Sequence, residues 1–314
     1  MQTGNLGYPR IGSHRELKKA VEQYWKGESS EATLRQEAAR LRAVAWTLQR
    51  DSGCDFIPSN DFSFYDQVLD LTAMLGAVPE RFGWRSGIVD LGTYFAMARG
   101  REGTPAMEMT KWFDTNYHYI VPELHAGQKF QLASNKAVAE FKEAQALGIT
   151  TRPVLIGPLT YLLLAKMTDG SSDALSLLDA ILPVYVQVLR QLSEAGADWV
   201  QIDEPILVTD LPAAAVEGFR RAYAQLASAV PNVRLMLTTY FGDLRENLSL
   251  AASLPVAGLH VDLVRGTGQL DEVLKQWPED RWLSLGVVNG RNIWRCDLDA
   301  ALLTLQSVVV ARDA

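Results

Sequence analysis

Four basic side chains, Arg10, Arg15, Lys18 and Lys19, gather around one expected helix start in the stretch "GYPRIGSHRELKKAVEQYWKG" (7–27), in a chain whose formal charge is −7. Arg15 and Lys18 are three apart and Arg15 and Lys19 four apart, so on a helix they share one face. A helix start already presents unpaired N–H groups and the positive end of the macrodipole. Cations added there make an anion-binding site. The competing reading is a solvated face, with Glu16 and Glu22 as local counter-charges. A second cation, Lys111, lies in "AMEMTKWFDTNYHY" (106–119) among apolar and aromatic residues. Either Glu108 or Asp114 pairs with it, or it meets a carboxylate on a substrate.

Residues that could break or make bonds are scarcer. The histidines are His14, His118, His125 and His260, and none forms HxH or HxxxH with another. Cys54 and Cys296 have no histidine nearby in sequence, so neither a metal set nor a thiolate–imidazole pair is indicated. The expectation is no catalytic and no metal-binding residue in this chain. His260 reads as a hydrogen-bonded barrel residue, and the cysteines as small buried apolar groups. Asp203 and Glu204 in "WVQIDEPILV" are adjacent. On a strand they point to opposite faces, which disqualifies them as a carboxyl pair flanking one bond and favours a structural role.

The elements that must hold these residues alternate between strand and helix. The first helix is expected over His14–Lys26, with Ser13 and Glu16 as a capping box and Gly27 as the stop. A second spans Glu31–Arg50, with Leu34, Ala38, Leu41, Ala45 and Leu48 at helical spacing. Apolar runs at 56–59, 153–157, 199–203, 234–240, 257–263 and 282–288 read as buried parallel strands. "GYPRIG" and "MEMTKWF" bring the count to about eight. The expected class is α/β, a (β/α)8 TIM barrel with extra N-terminal helices. A doubly wound sheet is the alternative, weakened by the lack of an early GxGxxG. Polar groups follow the strands at Asn60, Asp61, Asp203, Glu204, 238–240, His260, Asp262, Asn289 and Arg291. They suggest a functional rim at the strand C-termini.

With 314 residues, 48% hydrophobic and 21% charged, the composition is that of an ordinary soluble chain. The acidic balance and the lack of a Lys/Arg stripe argue against nucleic acid as a partner. Two distant cysteines give no disulfide framework and fit a reducing compartment. No signal-peptide pattern opens the sequence, and the most apolar stretch, 153–167, is broken by Gly157, Pro158 and Thr160. The cytoplasm is the expected location, without membrane contact.

Eight segments together carry a more specific message: "GYPRIGSHRELKKAVEQYWKG", "EMTKWFDTNYHYIVPE", "RPVLIGPLTYL", "LPVYVQVL", "WVQIDEPILV", "LTTYFGD", "GLHVDLV" and "GVVNGRNIWR". In this order, and over nearly the whole chain, they resemble the N-terminal half of cobalamin-independent methionine synthase. The resemblance implies two (β/α)8 barrels in the complete enzyme. It also implies methyl transfer from 5-methyltetrahydrofolate polyglutamate to homocysteine, which makes methionine. Zinc, homocysteine and the pterin belong to the C-terminal catalytic barrel, so residues 1–314 would form one N-terminal barrel without cofactor. The family's RELK motif falls on Arg15, Glu16, Leu17 and Lys18, and its MTKW lysine on Lys111. The resemblance makes these five residues the contacts to the folate polyglutamate tail.

Three functions remain open at this level. The chain is the N-terminal barrel of a methionine synthase, inactive alone and partnered by the catalytic barrel. Or it is a stand-alone barrel that binds an anionic ligand or a separate catalytic chain. Or it is a different barrel enzyme, such as a carboxy-lyase or hydrolase, working at its polar rim. The first predicts an apolar surface patch where the second barrel docks.

Overall fold

Strand β7 (Trp199–Asp203) shows how sequence becomes architecture here. Val200 and Ile202 pack into the main apolar cluster with Leu189 and Tyr223 of the outer helices. Gln201 and Asp203 turn the other way and hydrogen-bond each other at 2.7 Å. The two-residue period of a strand thus separates a helix-facing wall from a polar interior. The computed structural model describes residues 1–170 and 173–313. Within them six parallel strands run in the order β1 (Ile57–Ser59), β5 (Thr151–Ile156), β7, β8 (Arg234–Thr238), β9 (Gly258–Asp262) and β10 (Trp282–Gly286).

The sheet curls, and although its edge strands β1 and β10 share no ladder, aromatic rings at their starts touch. Phe56, just before β1, contacts Trp282, the first residue of β10, with ring centroids 6.0 Å apart, and Trp199 lies against both. The N-terminal segment lines this seam. Gly4 bridges Phe56 in parallel, and the Leu6 carbonyl accepts from Gln201 Nε2 at 3.1 Å. The result is an α/β barrel. The helices α3 (Gln67–Met74), α5 (Lys136–Ala146), α6 (Pro158–Leu163), α7 (Leu178–Glu194), α8 (Ala213–Ala229), α9 (Leu248–Ser253), α10 (Leu270–Gln276) and α11 (Leu298–Asp313) alternate with its strands. Two N-terminal helices, α1 (Glu16–Trp25) and α2 (Glu31–Asp51), precede it, and α4 (Leu91–Arg99) follows α3. Leu17, Val21, Leu34, Ala38 and Leu41 of α1 and α2 join Phe62, Phe82, Phe95 and Met97 in a second core.

Two of the expected strands are absent from the barrel wall. "GYPRIG" turns instead of extending, because Pro9 has no amide hydrogen and Gly12 takes φ 82°. "MEMTKWF" contributes β2 (Met109–Lys111), which pairs antiparallel with β3 (His118–Ile120) in a separate hairpin. Its chain reverses at Thr115, whose amide and hydroxyl both reach the Trp112 carbonyl. A third small sheet joins β4 (Glu123–Leu124) to β6 (Lys166–Met167) in parallel. The segment 153–167 is therefore strand, helix and strand. Among the described residues one helical stretch, Ala174–Glu194, is long and apolar enough to cross a membrane. Its residues Ile181, Leu182, Tyr185 and Leu189 are fully buried in the main core, as a core helix requires.

The expected capping box at Ser13 is also corrected. The N-cap of α1 is Arg15, in the left-handed region at φ 62°, ψ 37°, with no side-chain cap. Glu16 supplies the local acceptor, taking the His14 amide at 2.9 Å. Gly27, at φ 73°, ends the helix as expected.

Candidate anion-binding site

Within the motif, Leu17 is 2% exposed and fixes α1 to the second core, while its amide donates to the Ile11 carbonyl. Glu16 is held below the usual carboxylate range by its own and the His14 backbone amides. It rests over Gly12, where an added Cβ would stand 2.1 Å from its Oε2. These two residues therefore set the backbone from which Arg15, Lys18 and Lys19 project, all exposed. Arg15 makes no ion pair among the described residues. Lys18 approaches Glu22 at 3.6 Å, a half-exposed pair worth a fraction of a kcal/mol in order of magnitude.

Arg10 behaves differently. Its Nη2 donates to the Tyr65 carbonyl at 2.5 Å, and its guanidinium lies 5.4 Å from the Tyr117 ring centroid. Tyr65 in turn reaches Met109 Sδ at 4.0 Å. Arg10 thus ties the 8–13 loop to the β2–β3 hairpin, the hairpin that carries Lys111. Lys111 is exposed and makes no ion pair among the described residues. Both structural partners open to it are engaged elsewhere: Glu108 with Lys166 at 2.6 Å, and Asp114 with Arg265 at 2.5 Å and Arg291 at 3.3 Å. Beside the motif, a cleft of about 370 Å³ opens between the 8–13 loop and α2, lined by Tyr8, Arg10, Glu16, Arg42, Trp46 and Asp61.

The polar rim at the strand ends is largely self-contained. Asn60 binds the Glu140 carboxylate, the Val154 carbonyl and Lys136. Asp61 accepts the Tyr8 amide at 2.7 Å, and burial raises its pKa. Asp203 accepts from Gln201 and from Tyr240 Oη at 3.1 Å, and burial pushes it up to about 7. Glu204 faces away, as the alternation requires, and receives the amides that begin α6. Asp262 takes the amides of Phe241, Val264 and Arg265. His260 is bonded to Ser284 Oγ at 2.8 Å; burial and the nearby Arg152 lower it to about 4, so it is neutral. Most of these groups are satisfied by backbone amides and neighbouring side chains, although Gln201 Oε1 and Arg152 Nε are buried without a hydrogen-bond partner, so the rim reads as a structural network. Among the described residues no cluster of three His, Cys, Asp or Glu could hold a metal ion. Cys54 and Cys296, expected to be buried, are half-buried free thiols.

The sequence did not reveal the pairing of Asp114 with Arg265, 151 positions away. "FDTN" signals a turn, yet nothing local names the partner of its aspartate.

Residues 2–312 match the family model described as cobalamin-independent synthase, N-terminal domain. A 5-methyltetrahydropteroyltriglutamate–homocysteine methyltransferase of Nitrobacter winogradskyi is 55% identical over 328 residues, covering 98% of this chain and 42% of the relative. One of Xylella fastidiosa (strain M23) is 59% identical, covering 95% and 40%. The chain thus spans about 40% of the length of the curated relatives it matches. Among solved structures, a putative vitamin-B12 independent methionine synthase from Listeria monocytogenes superposes with a TM-score of 0.60 at 14% identity, covering 98% of this chain and 86% of that one. A B12-independent methionine synthase from Shewanella sp. W3-18-1, in complex with selenomethionine, gives 0.57 at 13% identity, covering 91% and 89%. At such identities the likeness concerns the fold.

Proposed function

The chain belongs to the cobalamin-independent methionine synthase family, whose N-terminal domain it matches over residues 2–312, and from that premise we propose that it holds the polyglutamate tail of 5-methyltetrahydrofolate for a companion catalytic barrel. The observation that carries this reading is a pair of exposed cations, Arg15 and Lys111, without ion-pair partners among the described residues. Arg10 links the elements that bear them. In an acidic chain such cations are favoured when a polyanion binds. A triglutamate tail presents several carboxylates, and charge-assisted hydrogen bonds to Arg and Lys suit them.

Arg15, Lys18 and Lys111 contact the tail carboxylates. Glu16 and Leu17 hold the motif's backbone in place. Methyl transfer to a thiol calls for a metal-bound thiolate, which zinc supplies when bound. Among the described residues no cluster of His, Cys, Asp and Glu fits zinc, so we assign the reactive step to the companion barrel. That partnership is supported by an apolar surface on the C-terminal segment: Ile293 is 91% exposed, Trp294 77% and Leu303 66%. We place the protein in the cytoplasm.

Calorimetric titration of the chain with 5-methyltetrahydropteroyl-triglutamate and with its monoglutamate tests the reading. Tighter binding of the triglutamate is expected, and loss of that preference in the triple variant R15A/K18A/K111A. Equal binding of the two ligands, or a preference that survives the triple variant, overturns it.

A further inference from the structure

The β2–β3 hairpin is a two-stranded ribbon outside the barrel sheet, a unit of marginal stability unless something holds it. Its base is anchored: the Ile120 amide, opposite Met109, donates to Asp66 Oδ2 at 3.0 Å, and Tyr119 is buried. Its tip reaches loops that follow three barrel strands. Asp114 binds Arg265, beyond β9, and Arg291, beyond β10. Phe113 contacts Phe241, beyond β8, with centroids 5.6 Å apart, and the Arg291 guanidinium lies 5.6 Å from the same ring. Phe113 and Phe241 adopt φ 50° and 81°, conformations disfavoured for bulky side chains. Such strain persists only where the surroundings over-determine it, and it collects at ligand clamps. The hairpin is therefore strapped across the C-terminal mouth of the barrel.

We propose that Asp114 is a positioning residue: by binding Arg265 and Arg291 it fixes the hairpin tip and so sets where Lys111 presents its ammonium group to the folate tail. This inference rests on the tail-binding reading above. Asp114 is half-exposed, and an ion pair of that kind adds little to global stability. Its role is geometric: Lys111 stands three residues from the strap, on the same short ribbon.

The test is a double-mutant cycle on the whole chain, with 5-methyltetrahydropteroyl-triglutamate as the probe and thermal melting as a control. D114N should weaken triglutamate binding about fivefold, with the melting temperature nearly unchanged. In a K111A background D114N should add no further loss, and D114E should restore binding in part. K111A without effect on the triglutamate removes the underlying reading of Lys111. A loss with K111A but none with D114N overturns the positioning role alone. Equal D114N losses in the presence and absence of Lys111 overturn it as well. If D114N fails to fold, R265Q/R291Q releases the same strap from the opposite side and is judged by the same outcomes.

Discussion

The Glu204 carboxylate receives the Thr160 amide at 2.7 Å and the Thr160 hydroxyl at 2.6 Å, and the Leu159 amide and Tyr223 hydroxyl complete its shell at 3.2 and 3.3 Å. The side chain is fully buried and caps α6, where Pro158 has no amide to offer. Gly157 makes room for it: a Cβ there would stand 2.0 Å from the Glu204 carboxyl carbon. Glu204→Ala leaves several buried donors without an acceptor. The expected loss is about 4 kcal/mol of unfolding free energy, measured by urea denaturation. Glu204→Gln should recover about half, since it keeps an acceptor oxygen.

Burial raises Asp66, Asp203 and Glu204 each to about 7. Between their unfolded values and about 7 the folded chain holds protons that the unfolded chain has released. Their contribution to stability is complete below the unfolded pKa values and is lost as pH rises through about 7. His260, lowered to about 4, acts in the opposite sense: its contribution is gained as pH rises from about 4 to its unfolded value of 6.5. Three groups outweigh one, so stability should decline from pH 5 to pH 7.5. Asp203→Asn should flatten the slope by about 1.4 kcal/mol per pH unit within that window. Urea midpoints at three pH values check this.

The strand positions were legible because a buried parallel strand is a continuous apolar run. The run at 199–203 matches β7 at both ends, and the run at 282–288 overshoots β10 by two residues. Helix α2 was legible because Leu34, Ala38 and Leu41 keep helical spacing; the Ser30 cap at its start is a further local signal that the structure shows. "MEMTKWF" misled because apolar composition does not distinguish a barrel strand from a hairpin arm. The rim residues were visible as polar groups at strand ends. That most of them are satisfied within the protein depends on contacts such as Asp262 with the Phe241 amide, which no local pattern encodes.

The proposed tail binding should weaken with salt, because the cations assigned to it are exposed and would act through screened charge. Raising the ionic strength from 0.05 M to 0.5 M should reduce triglutamate affinity more than monoglutamate affinity. Lys111→Ala should reduce that difference. Titrations at the two salt levels decide it.

The apolar side chains of the C-terminal segment should make the isolated chain self-associate. Trp294, Leu298 and Leu303 are each more than 60% exposed. Trp294→Ser with Leu303→Lys should shift sedimentation velocity profiles toward monomer at high protein concentration, with little effect on thermal unfolding.

Arg15 holds its backbone at φ 62°, a geometry glycine adopts without penalty and arginine does not. Replacing it with glycine would relax the chain by about 1 kcal/mol while deleting the guanidinium. Under the proposed function, Arg15→Gly should therefore raise the melting temperature while lowering triglutamate affinity, so the two properties trade against each other at this one position.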